Sequence, residues 1–415
     1  MNVDNFRKIC VVGWGKTGIS LAYLLLSLGK KAIVTEIRES TEFPSSPIQR
    51  LKGQGVEFEF GGHSQKFIKG AELVVVSPGV DLHQSSIFDI CRALNIPCVG
   101  EIEFCFWLTK AQLVAITGTN GKTTTTFLTY RALKEKRKRV FLGGNIGIPF
   151  SSLILNTKKG DLIVLEISSF QLETIIEFKP HVASILNVEP DHLDRYRSLK
   201  DYFDAKMNIF RNQTKDDWAV LNGNIALFNN AAKKINSNVI YFSSEFPNEN
   251  FSCAYRIANI FGISKTDCLH VFSQFKGLPH RLQLVRKLGN ISFINDSKAT
   301  NPSSTIWALQ NIKGNIILVA GGKDKGVDYS VIAPYLKKVK KLNLLGEASY
   351  QIKEALTSHV DTEVFSSLNE AIVASFKEAN PGDTVLFSPM CSSFDMFSNY
   401  RERGNKFIEI VNNLA

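Results

Sequence analysis

One pattern recurs along most of the chain: a short, wholly apolar run, an abrupt polar or glycine-rich loop, and then a helical pattern. Continuous apolar runs of this length are typical of strands buried on both faces, as in parallel sheets. The runs cover residues 8–12, 32–34, 73–76, 113–116, 162–165, 182–188, 291–294, 316–320 and 384–387. The sequence therefore predicts an α/β protein with mainly parallel sheets.

The length of 415 residues is too great for one core, since domains usually contain roughly 100–200 residues. The chain divides near Trp107 and again near residues 277–279. We predict a Rossmann-like domain at 1–107, a P-loop-type ATPase domain at 108–277 and a second Rossmann-like domain at 278–415. Ligands bind beyond the carboxyl ends of strands in open α/β sheets, so we expect the active site where these ends converge.

The composition excludes several other classes of protein. Apolar residues make up 44% of the chain and charged residues 21%, which is typical of globular proteins. No apolar run approaches the ~20 residues that a membrane-spanning helix needs, and the first residues lack a signal-peptide pattern. The seven cysteines form no C-x-x-C pair, which favours reduced thiols over disulfides or zinc. We expect a cytoplasmic protein without a membrane partner.

The formal charge of +10 raises the question of a nucleic-acid partner. The densest basic run, residues 134–139, is placed by its context at the solvated end of a helix, where cations suit the helix dipole. The other Lys and Arg residues are scattered rather than arranged in a stripe. We therefore expect small-molecule ligands and no nucleic acid, and the sequence is compatible with a monomer.

The first glycine loop, GWGKTG at residues 13–18, fits G-x-G-x-x-G directly after a strand. Glu36 lies about 20 residues further on, at the end of the next strand, as in dinucleotide-binding sites. Three interpretations stay open: a structural turn, an NAD site, or a site for a diphosphate carried by the substrate. No hydride-transfer residues follow the loop, which disfavours NAD.

The second glycine loop, ITGTNGKTT at residues 116–124, is a shortened variant of the P-loop. Its backbone N–H groups and the N-terminus of the following helix are suited to phosphate. Lys122 would neutralise charge on the phosphates and the Thr123 hydroxyl would bind Mg²⁺. The pattern predicts an ATP site formed by Gly118, Thr119, Asn120, Gly121, Lys122, Thr123 and Thr124.

Two further strand ends carry candidate metal ligands. Glu166 closes the strand 162–165 and is suited to the magnesium of the ATP site. His192, between Asp191 and Asp194, closes another strand, which makes it a candidate ligand for a second metal. Each residue could instead have a purely structural role.

Lys206 lies on a predicted helix, residues 199–210, with Tyr202, Phe203 and Phe210 three or four residues away on the same face. Its position alone favours a side chain that extends from the edge of this face into solvent. The alternative is a desolvated lysine whose neutral amine can react.

Seven motifs follow one another in order along nearly the whole chain. They are ITGTNGKTT (116–124), LEISSFQLE (165–173), NVEPDHLDRY (187–196), AKMNIF (205–210), GLPHR (277–281), NDSKATNPSS (295–304) and SPMCSSFDMF (388–397). Together they resemble the Mur ligases, ATP-dependent amino-acid ligases of peptidoglycan precursor synthesis. LEISSFQLE and SPMCSSFDMF are most similar to the branch that adds D-glutamate to UDP-N-acetylmuramoyl-L-alanine through an acyl phosphate.

The resemblance implies that the first domain binds the UDP-linked precursor, the central domain binds ATP and the last domain brings the amino acid. The implied precursor contacts are Gly15, Lys16, Thr17, Glu36, Ser77, Gly79, Asn145 and Ser168. Asn250, Arg281 and Asp296 are implied to join the ATP site. The implied D-glutamate contacts are Lys298, Thr300, Lys325, Ser393 and the backbone of Tyr400.

For the metals and the catalytic residues, the resemblance implies two Mg²⁺ ions. Thr123 and Glu166 would hold the first ion, and His192 with a carbamylated Lys206 would hold the second, while Lys122 contacts the phosphates. Two positions depart from the family pattern. Cys253 stands where a second asparagine would follow Asn250 on the adenine side, and Ile37 stands where a hydroxyl would contact uracil.

Three rival functions are weaker. A sibling ligase for another amino acid, or a folylpolyglutamate synthetase, is disfavoured by SPMCSSFDMF and by the lack of a D-N-P-R signature. An NAD-dependent oxidoreductase would rest on GWGKTG alone. A nucleic-acid-stimulated P-loop ATPase would need the basic stripe that this chain lacks.

Overall fold

The computed structural model describes residues 1–81, 85–192 and 195–415 and contains three β-sheets. The chain forms two compact units, residues 1–188 with 200–274, and residues 189–199 with 275–415. The first unit holds two of the sheets and the second unit holds the third. Among the described residues, no helix is both long enough and apolar enough to cross a bilayer.

The first sheet has five parallel strands in the order β3-β2-β1-β4-β5. Its elements are β1 Lys8–Val12, α1 Lys16–Ser27, β2 Lys31–Glu36, α2 Ser45–Gly53, β3 Glu57–Phe60, α3 Gln65–Ile68, β4 Leu73–Val76, α4 Ile87–Ala93, β5 Cys98–Gly100 and α5 Glu101–Leu108. The chain changes direction across the sheet between β1 and β4. This is where open α/β sheets form a crevice for ligands.

The second sheet has six parallel strands in the order β11-β10-β9-β6-β8-β7. Its elements are β6 Gln112–Thr117, α6 Lys122–Lys134, β7 Val140–Gly144, β8 Leu162–Glu166, α7 Ser169–Leu172, β9 Val182–Ile185, α8 Leu199–Met207, β10 Trp218–Asn222, α9 Ala226–Ala232, β11 Asn238–Phe242, α10 Glu249–Ile260 and α11 Lys265–Ser273. Here the direction changes between β6 and β9, next to the second glycine loop.

The first two sheets share one continuous core, which includes side chains from β1, α5, β6 and β8. Glu103 of α5 is fully buried at this junction. Its carboxylate accepts hydrogen bonds from the backbone N–H groups of Ile176, Glu177 and Phe178 at 2.7–3.0 Å, and from the indole of Trp107 at 2.8 Å. A buried carboxylate needs such partners, because an unsatisfied charge is costly away from water.

The third sheet, in the second unit, has the order β12-β13-β17-β14-β15-β16. Its elements are β12 Gln283–Leu288, β13 Ile291–Asn295, α12 Pro302–Asn311, β14 Ile316–Gly321, β15 Val339–Leu345, α13 Ser349–Leu356, β16 Asp361–Phe365, α14 Leu368–Glu378, β17 Thr384–Phe387 and α15 Tyr400–Asn412. Only β12 runs antiparallel to its neighbour. The loops after β13, β17 and β14 therefore emerge side by side.

The predicted α/β class is confirmed, and every predicted apolar run forms a strand. The strand predicted at 182–188 ends early, at Ile185, because Asn187 turns its side chain and carbonyl to the glycine loop. The helix predicted at 199–210 is regular only to Met207 and ends in a 3₁₀ turn. All seven cysteines are free thiols, and the basic run starts at the last residue of α6. The domain boundaries stay predictions.

Candidate active site

The first glycine loop connects β1 to α1 and requires two of its glycines, Gly13 and Gly18, for its conformation and close packing. A Cβ at Gly18 would lie 1.9 Å from the carbonyl oxygen of Gly13, which itself has a φ of 94°. Beyond the loop is a cavity of about 780 Å³. Seven of the eight residues predicted to bind the precursor line it: Gly15, Lys16, Thr17, Glu36, Ser77, Gly79 and Asn145.

The eighth, Ser168, is not among the lining residues. Its hydroxyl caps the short helix α7 by accepting from the N–H of Gln171, and Gln171 does line the cavity. Ile37, which departs from the family pattern, lines the cavity with 65% of its surface exposed.

The carboxylate of Glu36 accepts hydrogen bonds from neighbouring residues at this cavity. One carboxylate oxygen accepts from the N–H of Trp14, and the other accepts from the backbone and guanidinium N–H groups of Arg38 at 3.1 Å. Burial acts to raise the pKa of Glu36, but these hydrogen bonds outweigh it and lower the pKa below its ordinary value. Glu36 is therefore an anion at neutral pH that orders the glycine loop.

His63 is a cavity residue that the sequence reasoning missed. Its Nδ1 lies 2.9 Å from the hydroxyl of Thr35. Burial lowers its pKa, against the opposing influence of Glu36 and Glu59, so the imidazole is neutral at physiological pH. No local pattern in the sequence points to it, because its place in the cavity depends on the pairing of β3 with β2.

The second glycine loop is held by Asn187, which follows β9. Its side-chain oxygen accepts from the N–H groups of Thr119 and Asn120 at 3.0 and 2.8 Å. These two N–H groups were predicted to contact phosphate, but here they fix the loop. Gly121, in a left-handed conformation with φ 79°, then starts α6, whose first-turn N–H groups have no acceptor within the helix.

Two lysines meet at one carbonyl of this loop. Lys122 donates to the carbonyl oxygens of Gly118 and Thr119 at 2.8 and 2.7 Å, and Lys206 donates to that of Gly118 at 3.0 Å. Lys206 is only 1% exposed, and its ammonium lies 4.2 Å from the ring centroid of Tyr202. The favoured prediction of a lysine extending into solvent was wrong, because α8 turns this face into the core.

Glu166 ends β8 directly opposite Ile116 of β6. One carboxylate oxygen accepts from the side-chain amide of Asn145 at 3.0 Å, while the buried Oε2 has no hydrogen-bond partner within the described residues. The buried hydroxyl of Thr117 is likewise unsatisfied among those residues. Two unsatisfied oxygens beside a phosphate-type loop fit a hard divalent cation. Thr123 lies in the first turn of α6, after the same loop.

The two residues that the resemblance places on the adenine side, Asn250 and Cys253, have different surroundings. The side-chain oxygen of Asn250 on α10 accepts from the hydroxyl of Thr125 on α6 at 3.1 Å. Cys253 is fully buried, with its sulfur 3.2 Å from the hydroxyl of Ser184 on β9. The thiol thus belongs to the core of the second sheet.

His192 belongs to the second unit and Lys206 to the first. The neighbour of His192, Asp191, is buried and accepts from Lys325 and from the side-chain amide of Asn301, both at 3.0 Å. Burial acts to raise the pKa of Asp191, but Lys325, His192 and Asn301 outweigh it and lower that pKa. Lys325 is therefore oriented by a permanent anion. Asp194 lies outside the described residues.

The predicted D-glutamate residues follow adjacent strands of the third sheet. Lys298 follows β13, and its ammonium lies 4.4 Å from the ring centroid of Tyr400, the first residue of α15. Ser393 is buried in the loop after β17, and Lys325 follows β14. Thr300 is half-buried just before α12. Their contacts with substrate stay predictions.

Asp296 is buried in the same region, next to Arg281. Its carboxylate accepts from the N–H of Leu282 at 3.2 Å and from the hydroxyl of Ser388 at 2.9 Å. Burial raises the pKa of Asp296 to about 7, although Ser388, Leu282 and Arg281 act to lower it. The group is thus poised between its neutral and charged forms near neutral pH.

These features define an α/β protein with two glycine loops at strand ends, the second of them beside two unsatisfied oxygens. Comparison with known proteins gives its family. The Mur ligase MurD-like N-terminal domain matches residues 7–100, the Mur ligase middle domain matches 116–285, and the glutamate ligase domain matches 280–391. The chain belongs to the Mur ligase family.

Two relatives match it over nearly their whole lengths. The UDP-N-acetylmuramoylalanine–D-glutamate ligase of Thermoanaerobacter pseudethanolicus is 37% identical over 446 aligned positions, covering 98% of each chain. The enzyme of the same name from Citrifermentans bemidjiense is 39% identical, covering 97% of this chain and 96% of its own.

Solved structures show the same fold. The UDP-N-acetylmuramate–alanine ligase MurC of Thermotoga maritima has a TM-score of 0.62 at 20% identity, covering 98% of this chain and 99% of its own. The pseudomurein peptide ligase type C of Methanothermus fervidus has a TM-score of 0.62 at 20% identity, covering 99% and 100%.

Asp296 gives a test by pH. Its folded-state pKa of about 7 exceeds the ordinary value of 3.8, so the folded protein holds a proton that the unfolded chain releases. Stability from this group is therefore present below pH 4 and is lost as the pH rises to 7. The side chain of Asp296→Asn stays neutral at every pH. Its free energy of unfolding should therefore rise relative to that of wild type, by on the order of 2 kcal/mol, as the pH is raised from 5 to 7.

Urea unfolding of both proteins at pH 5, 6 and 7 measures this difference. Asp361→Asn serves as the matched control, because that carboxylate is 73% exposed on the same sheet. A constant gap between wild type and Asp296→Asn across the three pH values would show that Asp296 is not protonated in the fold.

Proposed function

We propose that this chain joins D-glutamate to UDP-N-acetylmuramoyl-L-alanine, using ATP, in peptidoglycan precursor synthesis. The observation that carries this function is the identity of 37–39% to D-glutamate ligases along at least 96% of both chains. The reaction forms an amide bond and releases ADP and phosphate. It makes the protein an acid–D-amino-acid ligase.

A carboxylate is a poor electrophile, so the reaction needs an activated intermediate. In the proposed mechanism, the alanyl carboxylate of the precursor attacks the γ-phosphorus of ATP, and the bond to ADP breaks. The amine of D-glutamate then attacks the resulting acyl phosphate, phosphate leaves, and the amine proton passes to solvent. Lys122 and the N-terminus of α6 would stabilise the charge of the transferred phosphoryl group.

The three ligands are assigned to three regions with boundaries at residues 107 and 277. The precursor would occupy the cavity between the first glycine loop and Asn145, whose size suits a small-molecule ligand. ATP would lie on the second glycine loop, with Asn250, Arg281 and Asp296 contributing to the nucleotide site. D-glutamate would bind between the loops of the third sheet, at the residues predicted above.

Two magnesium ions complete the proposal. Thr123 and Glu166 would hold the first, supported by the unsatisfied Oε2 of Glu166. His192 and a carbamylated Lys206 would hold the second, since carbamylation turns an amine into an oxygen ligand of the kind that Mg²⁺ prefers. The ions would offset the negative charge of the phosphates.

The proposed substrates indicate the compartment and the partners of the protein. UDP-linked precursors and ATP are small molecules of the cytoplasm, so we place the protein there, without a nucleic-acid or membrane partner. The sequence and the described structure are compatible with a monomer.

The first test is phosphate release from ATP with Mg²⁺ and UDP-N-acetylmuramoyl-L-alanine, in parallel reactions with D-Glu, L-Glu, L-Ala or no amino acid. We expect release that depends on D-Glu, together with a new amide-linked nucleotide product. Comparable release without any amino acid would contradict the coupled mechanism. Release with L-Ala alone would retain the family and assign the chain to a different branch.

The Glu166 site predicts a specific dependence on metal. EDTA should abolish turnover, and Glu166→Gln should raise the Mg²⁺ concentration for half-maximal activity at least tenfold, because loss of even an outer-shell partner of a metal ligand typically costs that much. Binding of Mn²⁺ to the protein with ATP, followed by electron paramagnetic resonance, gives a readout independent of turnover. Exposed Glu135→Gln is the control, and equal Mn²⁺ affinity in both variants would remove Glu166 from the metal site.

Carbamylation of Lys206 can be observed directly. In ¹³C-bicarbonate the wild-type protein should show a carbamate carbon signal that is missing from Lys206→Arg, since guanidinium does not form this adduct. Lys200→Arg is the matched control, because Lys200 lies on the same helix with its side chain 81% exposed. A spectrum without this signal in the wild type, with and without Mg²⁺ and ATP, would exclude the modification.

A further inference from the structure

Arg403 is buried in the third sheet's domain, where arginine is rare unless its donors are satisfied. It lies on α15 and is only 2% exposed. Burial lowers its pKa to about 10, so the guanidinium is still charged at neutral pH. A buried cation of this kind must be held by several hydrogen bonds to be tolerated.

The guanidinium connects two loops that are far apart in the chain. Its Nε and Nη2 donate to the hydroxyl and the carbonyl oxygen of Ser297 at 3.1 and 2.9 Å. Nη2 and Nη1 also donate to the carbonyl oxygens of Cys391 and Ser392, both at 3.0 Å. One planar group therefore fixes the loop after β13 against the loop after β17.

The network extends to a third loop and to the start of α15. The carbonyl of Ser392 also accepts from the N–H of Lys323, in the loop after β14, at 2.9 Å. The hydroxyl of Ser297 donates to the carbonyl oxygen of Tyr400 at 2.9 Å. A Cβ at Gly322 would lie 2.3 Å from the Ser392 oxygen and 3.0 Å from Nη1, so the packing leaves no spare room.

Each of these anchor points adjoins a residue proposed to bind the amino acid. Ser297 precedes Lys298, Ser392 precedes Ser393, and Lys323 lies two residues before Lys325. Among the described residues, Arg403 forms no hydrogen bond with the side chains of Lys298, Ser393 or Lys325. Its position behind the loops sets the spacing between the groups in front of them.

We infer that Arg403 is the positioning residue of the amino-acid site, fixing the separation of the loops that hold the two carboxylates of D-glutamate. This inference rests on the proposed function. Only arginine offers five donors in a rigid planar fork. A lysine would keep the charge but could not reach all four acceptors from one point.

A matched control is available in the same domain. Arg286 on β12 donates to the backbone carbonyls of Val411, Asn412 and Leu414 at 2.9–3.1 Å, at the opposite end of α15 from Tyr400. Both arginines thus tie α15 down through several carbonyls. Only Arg403 reaches the substrate loops.

The experiment compares kcat and the three KM values of wild type, Arg403→Lys and Arg286→Lys, with unfolding midpoints for each. For Arg403→Lys we expect the KM for the amino acid to rise at least tenfold, while the KM values for ATP and precursor stay within about threefold. Arg286→Lys should lower the unfolding midpoint and leave the amino-acid KM unchanged.

Ser297→Ala is the second variant, needed if Arg403→Lys does not fold. It keeps the buried guanidinium and removes only the hydroxyl that links Arg403 to the Tyr400 carbonyl, and we expect a several-fold rise in the amino-acid KM. An unchanged amino-acid KM in the folded variants, or an equal loss for all three substrates, overturns the inference.

Failure of the proposed function would be seen in the wild type, as phosphate release that does not respond to D-Glu. The same comparison of variants is then made with the amino acid that wild type accepts.

Discussion

The in-register pairing of parallel strands is the constraint on which the candidate site depends. In the second sheet, Ile116 pairs with Glu166, and Thr117 pairs with Ile185. Parallel strands end at one edge of the sheet. Strand pairing by itself therefore brings together the glycine loop, the acid of β8 and Asn187 after β9. The first and third sheets repeat the arrangement, with the cavity at one edge and the Arg403 network at another.

The predictable part of this protein is the part that depends on local pattern. Each of the nine predicted apolar runs marked a strand, although eight of the seventeen strands in the described residues were not predicted. Polar residues at the strand ends marked most of the candidate site, because burial on both faces leaves no room for them within the strands. The pattern gave the wrong prediction where the contacts of a single side chain set the end of a strand or the burial of a residue. Asn187 shortened β9 by binding the loop, and Lys206 was buried although a helical position alone favours an exposed ammonium.

Other residues could not be found from the sequence, because their partners are distant in the chain. Arg403 reaches Ser297 across 106 positions, and Asn187 reaches Thr119 across 68. His63 is adjacent to Glu36 only because β3 pairs with β2. Strand order, which these contacts require, is a property of the whole sheet, and no short window of sequence contains it.

The buried carboxylate of Glu103 prevents a clean separation of the first two domains. Its one carboxylate satisfies three successive N–H groups, at residues 176–178, in the segment that leads into β9 of the other sheet. A fragment ending at residue 107 would keep the buried carboxylate and the Trp107 donor and lose the three backbone donors. The remaining fragment would leave those three N–H groups without their acceptor. The two sheets are therefore one cooperative folding unit, and an exchange of the first domain between relatives must carry this acid and its docking turn together.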